Sequence, residues 1–89
     1  MGEIAAIYDI MPGSVDVDLE GIVAELPSII PEGVRIMETR IEAVAFGLRK
    51  IVAGFIINDE DESIGSKLEA ALAGINGVEN VENTATTNL

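Results

Sequence analysis

The sequence predicts an α+β sandwich, a four-stranded antiparallel sheet with two helices on one face. Three observations carry that expectation. Apolar residues change from period two to period 3.6 and back in the order strand, helix, strand, strand, helix, strand. The chain has 89 residues, enough for one domain at 1–89 and too few for a barrel or a doubly wound nucleotide fold. Hydrophobic residues make up 48% of it, so a core can form in spite of a net charge of -11.

In residues 3 to 11, Ile4, Ala6, Tyr8 and Ile10 share one face, and Ala5, Ile7, Asp9 and Met11 share the other, as in a strand. Pro12, Gly13 and Ser14 stop it. Asp16 or Asp18 can then cap a helix by accepting its free N-terminal amides. Leu19, Ile22, Val23, Leu26, Ile29 and Ile30 fall at helical spacing. Pro27 lacks an N–H and crowds the carbonyl four residues back, which predicts a kink or an end near Leu26, with Ile29 and Ile30 packing from an irregular turn.

After a turn at Pro31, Glu32 and Gly33, Val34 and Ile36 lie on one parity and Ile41 and Ala43 on the other, so a bulge is expected near residues 38 to 40. The stretch 48 to 58 is almost continuously apolar and reads as a central strand. Residues 58 to 62 form an acidic loop, and Ser63 is a candidate cap for a second helix built on Ile64, Leu68, Ala71, Leu72 and Ile75. Gly77 is expected at positive φ where the chain reverses into a last strand at 78 to 87. Right-handed crossovers then place both helices on one sheet face, which is the ferredoxin-like βαββαβ arrangement.

Composition narrows the chemistry. Five basic residues against sixteen acidic ones repel phosphate backbones and anionic lipids, so neither nucleic acid nor membrane is an expected partner; the acidity fits solubility in a salty cytoplasm or a basic partner protein, and composition does not separate the two. The chain has no Cys and no His, which removes disulfides, thiol nucleophiles, thiolate metal sites and imidazole catalysis. No secretory pattern opens the chain, Ala6 stands where a myristoylation signal wants a hydroxyl, and the apolar run 51 to 57 is too short to span a bilayer; the expected location is the cytoplasm.

Motifs for bond-making fail one by one. Gly65-Ser66-Lys67 lacks the upstream glycine of a phosphate loop. A calcium loop starting at Asp59 would need Gly at Ile64 and a carboxylate at Ala70, so no metal is expected. No Ser has an activating base, and Asp9, the one acid within an apolar strand, is expected on the solvent side. The expectation is a protein that is not an enzyme, with no catalytic residues and no cofactor.

The most informative local feature is Phe46-Gly47, in the connection between the second and third strands. Gly47 can supply a permissive backbone while Phe46 caps the core edge. Equally, an aromatic at a loop tip, followed by Arg49 and Lys50, can anchor a partner protein. Both readings stand on the residues alone.

Several segments in register resemble the archaeal translation elongation factor 1-beta family and the C-terminal exchange domain of the eukaryotic factor. They are Met1-Gly2, Ile10-Met11-Pro12, Val17-Asp18-Leu19, Leu26, Pro31-Glu32-Gly33-Val34, Val44-Ala45-Phe46-Gly47-Leu48, Leu68-Glu69, Ala71-Leu72 and Gly77-Val78-Glu79. The likeness runs along essentially all 89 residues. It implies a ferredoxin-like domain, holding no nucleotide itself, that promotes GDP/GTP exchange on the GTPase elongation factor 1-alpha. It also implies that Phe46, with Gly47 as its turn partner, wedges into that GTPase.

The family's second instrument is a basic residue beside the C-terminal Leu. Here Asn88 precedes Leu89, and an amide can hydrogen-bond but cannot act as a cation. Asn88 and Leu89 are carried as partner contacts on the resemblance, with the magnesium-displacing step open. Pro27 and Tyr8-Asp9 are further departures from the family pattern. The competing reading is a regulatory or dimerising domain of the same fold, pairing through the uncharged edge at 83 to 88; the exchange reading expects a monomer in isolation.

Overall fold

The computed structural model describes residues 2–58 and 60–89; Asp59, part of the expected acidic loop, lies outside them. The elements are β1 (Glu3–Pro12), α1 (Leu19–Ile29), β2 (Val34–Ala43), β3 (Arg49–Asn58), α2 (Ser63–Ala73) and β4 (Val78–Asn88). They form one sheet of order β2-β3-β1-β4 with every neighbouring pair antiparallel, the ferredoxin-like arrangement.

Strand parity builds the core. Ile51, Ala53, Phe55 and Ile57 of β3 share a face with Ala6, Tyr8 and Ile10 of β1, and Leu19, Ile22 and Leu26 of α1 and Leu68 and Leu72 of α2 close over them. Phe55 is fully buried, its ring edge-on to Tyr8 with centroids 6.0 Å apart. The Tyr8 hydroxyl donates to Glu69 of α2 at 3.0 Å. Burial, reinforced by that carboxylate, pushes its pKa up to about 12, so the phenol stays a donor.

Several local details differ from the sequence expectations. Helix α1 does not end near Leu26 but continues through Pro27 to Ile29. Pro27 forfeits the one amide bond it would have made to the carbonyl four residues back, but the turn around it is held: the Ser28 hydroxyl donates to the Glu25 carbonyl at 2.8 Å and the Ile30 N–H donates to the Leu26 carbonyl at 3.1 Å. The β2 register shift falls between Ile36 and Glu38, slightly upstream of the expected bulge, and leaves Met37 over Gly54. Ser63 is not the cap of α2: the helix starts on it, and its amide and hydroxyl both donate to Asp61, each at 2.8 Å.

Asp9 lies on the helix-free face, as expected, but is only 9% exposed and pairs with Lys50 at 2.7 Å. Its cross-strand neighbours are Val52 and Glu82. Val52 and Ile56 on that face are buried too, so β3 is covered on both sides.

Two caps agree with the sequence. Asp18 accepts the Gly21 amide at 3.0 Å, and Gly77 has φ +94°. A Cβ at Gly77 would sit 3.0 Å from the Val17 side chain as well as in a strained backbone. Gly77→Ala should therefore lower stability by about 1–2 kcal/mol, read as a fall in the denaturant midpoint at unchanged slope.

Candidate functional site

The β2–β3 connection is a tight hairpin. Leu48 N–H donates to the Ala45 carbonyl at 2.9 Å, and Val44 N–H donates to the Leu48 carbonyl at 2.8 Å. The two central residues, Phe46 and Gly47, have φ of +55° and +78°, the signs that a primed hairpin turn requires. Glycine adopts this backbone freely, but a residue with a Cβ is held there at a cost of about 1–2 kcal/mol.

Phe46 is 98% exposed, so its ring contributes nothing to the core and the core-cap reading fails. A fully exposed phenyl ring also forgoes about 1.5–3 kcal/mol that burial would give. Strain and exposure at this one residue thus bring no return in folding.

The surroundings hold that ring out. Arg49 donates through both guanidinium nitrogens to Glu20 at 2.9 and 3.3 Å, tying the hairpin base to the first turn of α1. This ion pair holds the Glu20 carboxyl below its ordinary range. Lys50 is held by Asp9, which raises its pKa. The two cations beside the loop, read as part of a partner anchor, are thus engaged within the domain. Exposed Val44 lies in the hairpin itself, and Val15, from the turn after β1, reaches the Gly47 backbone, where a Cβ would stand 3.8 Å from it.

Asn88 and Leu89 stand elsewhere. Asn88 pairs with Ile4 at the far end of the sheet, and Leu89 N–H donates to the Glu3 carbonyl at 2.9 Å with its side chain exposed. The ten residues of β3 separate that end from the hairpin by about 30 Å. Phe46 and Gly47 therefore form one point and Asn88 and Leu89 a second, on a rigid frame. Among the described residues no cluster of His, Cys, Asp or Glu is placed to hold a metal ion, and no helix is long and apolar enough to cross a membrane.

Comparison with known proteins places this geometry. The family described as EF-1 guanine nucleotide exchange domain matches residues 5–89. Elongation factor 1-beta of Methanosarcina mazei is 41% identical over 83 residues, 92% of each chain. The factors of Halobacterium salinarum and Methanothermobacter thermautotrophicus are each 37% identical, over 91% of both chains and over 94% and 93% respectively. A solved structure, the C-terminal domain of the MgtC protein from Mycobacterium tuberculosis, superposes with a TM-score of 0.59 at 14% identity, covering 97% of this chain and 86% of that one. That likeness shows the fold alone. By the family match and the near full-length relatives, the chain belongs to the EF-1 guanine nucleotide exchange domain family.

Proposed function

We propose that the chain acts on elongation factor 1-alpha, promoting replacement of GDP by GTP through insertion of Phe46 into that GTPase. The observation that carries this reading is the fully exposed aromatic on a left-handed backbone at the hairpin tip. An exchange factor accelerates release only if it binds the empty GTPase better than the loaded one, so its contacts must conflict with seated nucleotide and magnesium. A ring held rigidly outward by a short turn can create that conflict with little ordering cost on binding. No bond is made or broken by the domain itself. It works in the cytoplasm, as a monomer before it docks.

Asn88 and Leu89 form the second contact, about 30 Å from the first. At this end the chain offers an amide where the family pattern has a cation. Docking and wedging by Phe46 then carry most of the exchange, and charge-driven displacement of magnesium carries little. The test is release of a fluorescent GDP analogue from elongation factor 1-alpha under excess GTP. The wild-type chain should accelerate release, and Asn88→Lys should accelerate it about tenfold further, the equivalent of one added charge-assisted contact. No acceleration by either folded form would favour the competing regulatory domain.

A further inference from the structure

A groove of about 420 Å³ opens between α1 and the turn that follows α2. Val17, Ile22 and Ile75 give it an apolar lining, and Asp18 and Glu25 stand along its α1 side at helical spacing. Gly21, between them, leaves that wall without a side chain. None of the residues lining the groove is basic. Four of the five cations are paired elsewhere, Arg35 with Glu3, Arg40 with Glu42, Arg49 with Glu20 and Lys50 with Asp9, and the fifth, Lys67 of α2, does not line the groove. In a chain of net charge -11, the exposed Glu25 carboxylate beside an apolar floor makes a site complementary to one long cationic side chain, while Asp18, farther up the same wall, is already engaged as the helix cap.

The groove is continuous with the Phe46 hairpin. Val15 stands near Gly47, where an added Cβ would lie 3.8 Å from its side chain, the Gly13 N–H donates to the Gly77 carbonyl at 3.0 Å, and Val17 lies near Gly77 at the groove's edge. All of this lies at the end of the sheet where β1 stops and β3 begins, away from Asn88.

We propose that this groove receives a lysine or arginine side chain of the protein that seats Phe46, its aliphatic stem on Ile22 and Ile75 and its charged head on the Glu25 carboxylate. The inference rests on the reading of Phe46 as the anchor in the GTPase, and extends that interface across the helix layer. The cation supplies a counter-charge to Glu25, and its hydrogen bond to that carboxylate is of the stronger, charge-assisted kind. The groove thus selects for partner surfaces that carry a base at a fixed offset from the pocket for Phe46.

The test compares affinities of the full chain and three variants for elongation factor 1-alpha, at low and high salt, with circular dichroism confirming that each variant is folded. Glu25→Lys reverses one groove charge; Glu32→Lys makes the same change of net charge in the exposed turn before β2; Phe46→Ala removes the anchor. Glu25→Lys should weaken binding about tenfold or more, and Glu32→Lys less than about threefold, with the difference shrinking at high salt. Equal weakening by the two reversals would reduce the effect to net charge and overturn the groove contact. Loss of binding in Phe46→Ala with none in Glu25→Lys would overturn it too, leaving the exchange function standing. Absence of binding by the wild-type chain would remove the exchange reading and the groove contact with it.

Discussion

Replacing Phe46 by alanine should weaken the complex with elongation factor 1-alpha by about 2 kcal/mol or more, close to thirtyfold in affinity, and leave folding stability unchanged or slightly raised. The asymmetry comes from the geometry of one residue. Its ring is 98% exposed, so truncation removes no core contact. Its backbone sits at φ +55°, which a smaller side chain does not tolerate worse and asparagine tolerates better. Phe46→Asn should accordingly match alanine in lost binding and gain several tenths of a kcal/mol in stability. Affinity by calorimetry and thermal unfolding on the same samples check both halves. A large stability loss with unchanged affinity would return Phe46 to the core.

The converse result is expected one strand away. Phe55→Ala should cost about 3–5 kcal/mol, because it empties a site at the centre of the helix-covered face and removes the edge-on contact with Tyr8. A domain of this size has a total stability of about 5–10 kcal/mol, so the variant should be partly unfolded at 37 °C, visible as a large fall in the urea midpoint. Loss of binding in this variant follows from unfolding, whereas in Phe46→Ala it does not. Two phenylalanines nine positions apart thus separate the residue that docks from the residue that holds the frame.

The periodicities fixed what depends on local spacing. Leu68 and Leu72 of α2, the alternation through 51 to 57 and the cap at Asp18 follow from residue type and interval, and the structure places each accordingly. Details set by competition were less legible. Pro27 argues for a helix end, and the bonds of Ser28 and Ile30 that hold the turn around it are set by the folded backbone rather than by the spacing of apolar residues. Ser63 and Asp61 can each accept amide bonds, and the carboxylate, the stronger acceptor, takes both donors of the serine. Asp9 lies on the expected face, yet Lys50 and its strand neighbours bury it, a consequence of pairing across β1 and β3 that spacing along one strand cannot show.

For the candidate site, the unusual turn composition Ala45-Phe46-Gly47-Leu48 singled out the hairpin, but only the exposure of Phe46 removed the core-cap reading. Arg49 and Lys50, which the sequence shows only as flanking the aromatic, are held by Glu20 and Asp9, partners 29 and 41 residues away in sequence. The distance between Phe46 and Asn88 is a property of the sheet and follows from strand register alone.

Exchange by this mechanism is a statement about relative affinity, because a factor that bound loaded and empty GTPase equally could not shift the nucleotide's equilibrium. The most direct measurement is the dissociation constant of the full chain for elongation factor 1-alpha stripped of nucleotide, set beside that for the GDP- and magnesium-loaded form under the same buffer. Binding to the empty form about 100-fold tighter or more, with the difference reduced in Phe46→Ala, is the predicted result. Equal affinity for the two forms would contradict the account, even if the complex were tight.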